Sequence, residues 1–305
     1  MSAEVRVNAP AKINLCLGVG PVREDGYHPL ATVYQAVGLY DEVVLRPADV
    51  DDLTVSGDGV DVSEVPVDAS NLVLREQSHR AEHHEEDLSV AVHVRKRIPV
   101  AGGLAGGSTD AAAALVGADM LFGLQTPREE LLRLAARLGS DVPFCLLGGT
   151  AMGAGRGEVV TPVMTRGEYW WVIVPDSGGL STPAVYAEFD RLHAGRVVPE
   201  PEVPDDLLAG LRAGDAERLG AALENDLQPA ALSFRPDLVE LLAAGRIASA
   251  HGALVSGSGP TTVFLCESPA HAQRVDQALQ YDHGTEPALV VKGPVHGARV
   301  TGAHR

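Results

Sequence analysis

Cysteine is scarce in this sequence: Cys16, Cys145 and Cys266 are the only three in 305 residues. They are far apart, odd in number and fit no metal-ligand spacing. This excludes a disulfide-stapled scaffold and a cysteine-built zinc site, and fits free, mostly buried thiols in a reducing compartment. Long apolar runs are missing too, so no segment reads as a membrane span. The first seven residues lack the positive start and apolar stretch of a secretory signal. The expected location is cytoplasmic. Basic charge is short: 41 acidic residues face 24 Lys and Arg, a formal net charge of -17. Nucleic acid and anionic membrane surfaces are therefore poor partners, and any bound phosphate must be gripped by a local device.

What is present is apolar material and glycine. Hydrophobic residues make up 45% of the chain, enough for a full core and too much for a disordered protein. The 33 glycines point to sharp turns and close backbone approaches. The length suggests about two domains, expected at 1–160 and 161–305. Val5–Val7 and Ile13–Val19 read as short strands broken by Pro10, followed by strands at Thr32–Leu39, Asp41–Arg46 and Leu88–Val94. Helices are expected over Asn71–His84 and Thr109–Phe122, the second closed by Gly123. Thr126 as N-cap, Pro127 at the first helical position and Glu129 in a capping box open another, which Gly139 ends. Further on, strands are expected at Glu168–Val174, Ala253–Val255, Thr262–Cys266 and Ala288–Lys292. Helical patterns lie within Asp206–Leu227, Asp237–Ala248 and Pro269–Leu279. Strands and helices mix without strict alternation, which favours an α+β fold.

The segment richest in chemistry runs Pro99-Val100-Ala101-Gly102-Gly103-Leu104-Ala105-Gly106-Gly107-Ser108-Thr109-Asp110. A glycine loop opening a helix offers several unpaired backbone N–H groups and the positive end of the helix dipole. That cradle grips phosphate without a lysine, as an acidic protein requires. A Walker A loop is excluded because Gly-Lys-Ser/Thr is absent, and a Rossmann G-x-G-x-x-G is not matched. Either hydroxyl, Ser108 or Thr109, is available to phosphate or metal. Lys12 and Asn14 alternate with apolar residues on one strand, a spacing that suits a solvated edge or a pair aimed into a site. Asp141 follows a glycine-ended helix, where a helix cap or a catalytic carboxylate are both open. His83-His84-Glu85-Glu86 lacks His-Glu-x-x-His spacing, and Asp49, Asp51 and Asp52 lack the frame of an EF-hand, so neither reads as a metal site.

Pro99, Gly103, Leu104, Gly106 and Ser108 resemble the hallmark phosphate loop of the GHMP kinase superfamily, with Gly107 as one extra glycine. Three further segments extend the resemblance in order along most of the chain: Ala9-Pro10-Ala11-Lys12-Ile13-Asn14-Leu15 with Asp25-Gly26-Tyr27-His28, then Gly139-Ser140-Asp141-Val142-Pro143, then Ser256-Gly257-Ser258-Gly259-Pro260. The Asp-Gly-Tyr-His element resembles the subfamily whose acceptor is a cytidine diphosphate methylerythritol. The resemblance implies a two-domain GHMP kinase fold with its active site in a cleft between the domains, ATP and Mg²⁺ as cofactors, and a monomer or weak homodimer. It implies that Asp141 takes the proton of the acceptor hydroxyl, with Lys12 as its electrostatic partner and Asn14 placing the substrate. Tyr27, His28, Thr182 and Tyr186 then recognise the cytidine. Asn71, Lys96, the loop from Pro99 through Ala101 to Ser108, and Thr109 face ATP. Gly257, Ser258 and Gly259 pack against the loop, although a tight hairpin turn explains them equally well. Two alternatives stand beside this reading: another GHMP kinase of the homoserine or mevalonate type, or a non-catalytic ligand sensor on the same fold. A sensor has no use for both Lys12 and Asp141.

Overall fold

Strand β1 (Glu4–Val19) is long because its sequence changes character halfway. Burial alternates from Val5 to Asn8 and then becomes continuous to Val19, as for a strand covered on both faces. Pro10 does not break it. The proline sits at a register shift between Pro10 and Ala11, a bulge where its missing N–H costs no ladder bond. The computed structural model of the chain describes residues 3–76, 88–100, 102–176 and 178–304. The helix expected over Asn71–His84 is described only at 72–76, and His83 to Glu86 lie outside the described residues.

The strands continue as β2 (Leu30–Pro47), β3 (Asp52–Gly57), β4 (Val90–Lys96), β5 (Thr150–Ala154), β6 (Val159–Pro162), β7 (Tyr169–Val174), β8 (Glu224–Asn225), β9 (Gly252–Val255), β10 (Thr262–Cys266), β11 (Leu289–Gly293) and β12 (Arg299–His304). The two strands expected across 32–46 are thus one. The helices are α1 (Gly106–Phe122), α2 (Arg128–Leu138), α3 (Val142–Leu147), α4 (Thr182–Leu192), α5 (Asp205–Ala213), α6 (Ala216–Ala221), α7 (Gln228–Phe234), α8 (Asp237–Ile247) and α9 (Pro269–His283). Thr126 is not the cap of α2: Pro127 holds the N-cap position, and the Thr126 N–H donates to Asp119 Oδ1 at 2.8 Å.

One sheet orders its path as β12-β1-β2-β4-β3, with β5 also on β2 and β8 on β1; a second orders as β11-β7-β10-β9. The last strand of the chain therefore lies against the first. In β7, Tyr169, Trp171 and Ile173 pack with Ile13 and Leu15 of β1, while Val172 packs with Phe189, Val275 and Leu279. This two-residue period lets one strand serve two cores. Trp171 Nε1 also donates to Gln35 Oε1 at 2.9 Å, tying the layers together. Helix α1 lies close on the first sheet because it is built of alanine and glycine. A Cβ at Gly117 would stand 2.3 Å from Leu45.

Candidate active site

The glycine loop joins β4 to α1, and backbone contact dictates its composition. Gly103 has φ +75°, and a Cβ there would lie 2.4 Å from the Ser256 carbonyl oxygen; one at Gly102 would lie 2.7 Å from Thr261 Oγ1. The Gly257-Ser258-Gly259 turn between β9 and β10 therefore presses directly on the loop. Ser256 Oγ donates to Gly103 O at 3.3 Å, and Leu104 O accepts from the Lys12 N–H at 3.1 Å. Ala105 is left-handed at φ 60° without being glycine, a strained position that positive-φ statistics associate with function. It is the N-cap of α1 and no side chain caps that end. The first-turn N–H groups of α1 and its positive pole are thus left for an anion. Ser108 borders the cleft. Thr109 turns away, its Oγ1 donating to Pro10 O at 2.8 Å and lying 3.2 Å from Cys145 Sγ.

Lys12 and Asn14 share one face of β1 and both are buried. Lys12 Nζ donates to Asn14 Oδ1 at 2.8 Å, Asn14 Nδ2 to Thr32 Oγ1 at 2.8 Å, and Thr32 Oγ1 to Cys16 O at 2.6 Å. This chain fixes the ammonium beside the cleft. Asp141 occupies the N-cap position of α3, but its side chain makes no capping bond. Its carboxylate, 30% exposed, instead stands 3.7 Å from Lys12 Nζ. Tyr34 forms the floor, its ring 5.6 Å from Lys12 Nζ. Burial, and next the neighbouring Asp141, hold its phenol pKa well above the usual value, so it stays neutral.

Aromatic rings gather on the other side. Tyr27 is 52% exposed, in a turn where its N–H donates to Asp25 Oδ1 at 3.0 Å. His28 is buried, with Nδ1 2.8 Å from Gly20 O and Nε2 3.6 Å from Asp190 Oδ1. Its ring lies 5.2 Å from that of Tyr186 at 30°. Thr182 Oγ1 meets Ser258 Oγ at 2.9 Å. The Arg156 guanidinium stands over Tyr27, 4.4 Å from the ring centroid.

Two predicted ATP-side residues have supporting partners. Asn71 accepts from the Val73 N–H at 2.9 Å, capping the turn at 72–76, and its Nδ2 donates to Pro66 O. Lys96 is almost wholly buried beneath the loop, donating to Asp41 Oδ2 at 2.5 Å and Asp110 Oδ2 at 2.7 Å. Asp41 Oδ1 accepts from the Arg97 and Ile98 N–H groups at the loop entrance. Burial raises Asp110 to about 7 against the pull of Lys96. Among the described residues, Asp110 Oδ1 has no hydrogen-bond partner.

A cleft of about 940 Å³ collects these parts. Of the predicted site residues, Thr109 alone is turned out of it, and Ala101 lies outside the described residues. Tyr34, Asp110, Arg156 and Asp190 also line it, and Asn225 holds the Gly257 turn, donating from Nδ2 to Val255 O and Gly257 O. The sequence carried no motif signal for Tyr34. Arg156 had none, since an arginine between glycines reads as an exposed turn.

Comparison with known proteins agrees with this geometry. The description "GHMP kinases N terminal domain" matches residues 71–149 and "GHMP kinases C terminal" matches 207–284. A solved homoserine kinase from Cytophaga hutchinsonii has TM-score 0.73 at 21% identity over 97% of each chain, a likeness of fold alone. A crystal structure of 4-(cytidine 5'-diphospho)-2C-methyl-D-erythritol kinase has TM-score 0.75 at 32% identity, over 94% of this chain and 98% of that one. The 4-diphosphocytidyl-2-C-methyl-D-erythritol kinase of Thermobifida fusca is 54% identical over 97% of this chain and 98% of its own. Sequence identity thus separates relatives that fold alone does not, and the chain belongs to the 4-diphosphocytidyl-2-C-methyl-D-erythritol kinase family of the GHMP kinases.

Proposed function

We propose that this chain transfers the γ-phosphoryl group of MgATP to the 2-hydroxyl of 4-(cytidine 5'-diphospho)-2-C-methyl-D-erythritol. One observation carries the reading: the Lys12–Asp141 pair, 3.7 Å apart, shares a cleft with an uncapped glycine-loop helix and an aromatic cluster. The acceptor hydroxyl lies against Asp141, which takes its proton. The hydroxyl oxygen bonds to the γ-phosphorus, and the bond to the bridging oxygen breaks with its electrons leaving on ADP. Lys12 pairs with the Asp141 carboxylate and offsets charge on the moving phosphoryl. Positioning and electrostatics of this kind supply most of the catalysis in phosphoryl transfer.

The Ser108 hydroxyl is a hard oxygen donor that borders the cleft at the start of α1, and fits Mg²⁺. It would hold the ion with the nucleotide's phosphates, where the ion neutralises phosphate charge. The first-turn amides of α1 hold the phosphates, with the Lys96 triad supporting the loop from below. Tyr27 and Tyr186 stack on the cytosine while His28 reads its polar edge. Arg156 covers one face of Tyr27, which leaves the other for the base. The remaining parts of the reading are a division near residue 160, with β12 reaching back, a cytoplasmic monomer or weak homodimer, and no nucleic-acid partner. No helix among the described residues is long and apolar enough to cross a membrane.

The test is ADP release with MgATP and three acceptors offered separately: the cytidine diphosphate methylerythritol, mevalonate and homoserine. Turnover with the first alone is expected. Turnover with either of the others would discard the cytosine site. ATP binding with no turnover on any would favour a sensor.

A further inference from the structure

His251, Glu267 and His271 converge on the second layer, and none of them borders the cleft. His251 immediately precedes β9, and its N–H donates to Leu265 O at 2.9 Å. Glu267 immediately follows β10. His271 sits in the first turn of α9, where Ser268 Oγ caps its N–H at 3.2 Å. The hairpin and the helix cap thus bring three separated residues together, and one ligand atom from each lies within 4.8 Å of the others.

The hydrogen bonds favour a metal. His271 is buried, and its Nε2 lies 3.0 Å from Ser249 O, a carbonyl that accepts only a proton-bearing nitrogen. That places the lone pair on Nδ1, whose contact is a long one, 3.5 Å from the Glu267 N–H. Metal-bound histidines use this arrangement, with one ring N–H on a backbone carbonyl and the other nitrogen on the ion. His251 Nε2 is buried and, among the described residues, has no hydrogen-bond partner; Glu267 Oε2 stands 3.6 Å away. The two rings cross at 89° with centroids 5.2 Å apart and do not stack. Glu267 is exposed. Arg274, the nearby cation, is turned to the Ala270 carbonyl at 3.3 Å.

We infer that His251, Glu267 and His271 form a binding site for a borderline divalent transition metal of the zinc type, with water in the fourth position. Two imidazoles and one carboxylate suit such an ion, whereas Mg²⁺ and Ca²⁺ prefer oxygen ligands throughout. The bound ion clips the start of α9 to the ends of the β9–β10 hairpin. The site is independent of phosphoryl transfer.

The probe is zinc chloride added to metal-free, full-length protein without nucleotide. Stoichiometry and affinity are read by calorimetry, and coordination by the visible bands of the cobalt(II)-substituted protein. One equivalent is expected to bind, giving tetrahedral cobalt bands and a higher melting temperature. Losing an outer-shell partner of a metal ligand already costs about 10–100-fold in affinity, so His251→Ala should lose at least ~10-fold. Glu267→Gln, an exposed change that spares the fold, should also weaken binding, and both variants should keep wild-type ADP release. Absence of a tight equivalent in the wild type, or wild-type affinity in both variants, would overturn the site.

Discussion

Asp141→Asn isolates the chemical step. The substitution is isosteric, and the Asp141 side chain caps no helix, so α3 loses no bond. What is lost is a proton acceptor and a charge. At 3.7 Å and an effective dielectric of about 20, the attraction to Lys12 is at most ~4.5 kcal/mol. With the carboxylate 30% exposed, solvent screening reduces it well below that. Lys12 keeps its bond to Asn14, so a stability loss of about 1–2 kcal/mol is expected. Turnover is different. A positioned base contributes about 10²–10⁴-fold, and each decade is 1.36 kcal/mol of barrier. We expect kcat to fall at least ~10²-fold while ATP affinity stays within about 3-fold, because the phosphates rest on the α1 amides and not on residue 141. The assay is coupled ADP release at saturating acceptor, with ATP binding measured separately by calorimetry. Lys12→Met should also cost kcat, and the double variant should lose little more than the worse single one, as expected of groups acting as a unit. A kcat for Asp141→Asn within about 5-fold of wild type would refute the base; fully additive losses would refute the pairing.

Three further outcomes are expected. Tyr27→Ala should weaken the cytidine substrate by about 1–3 kcal/mol, the scale of one base stack, with kcat largely kept; an unchanged KM would reject stacking. Gly103→Ala meets both a positive φ and a carbonyl oxygen 2.4 Å from the new Cβ. It should destabilise by at least ~1–2 kcal/mol and weaken ATP binding, read by thermal melts and nucleotide titration. Asp110 carries a pKa raised from 3.8 to about 7 by burial. The folded state therefore holds a proton that the unfolded state releases, and that contribution to stability disappears as pH rises through about 7. Urea unfolding between about pH 5.5 and 8.5 should show wild-type stability falling more than that of Asp110→Asn; parallel profiles would sink this account.

The α+β class, the glycine loop opening α1, the β9–β10 pair and the motif residues that meet at the cleft were legible because each rests on local chemistry. Glycine reports a special backbone, alternation reports a strand face, and the motifs lie in contiguous runs. Pro10 was misread as a break because the bulge that accommodates it is set by pairing with β2. Thr126 was misread as a cap because Asp119, seven residues earlier, takes its N–H.

Sequence alone thus determined the parts: a glycine loop that opens a helix, a lysine and an aspartate 129 positions apart, and a turn carrying Tyr27 and His28. Tertiary structure decided what each part faces. Of Ser108 and Thr109, adjacent on α1, one meets the cleft and the other the Pro10 carbonyl, because a helix turns its side chains by about 100° per residue. Lys12 and Lys96, two of the chain's three lysines, are both buried against the usual habit of lysine. One ends beside Asp141 and the other between two carboxylates below the loop, since the layout of the sheet brings distant carboxylates to each. Such pairings depend on distances in space that residue order does not encode.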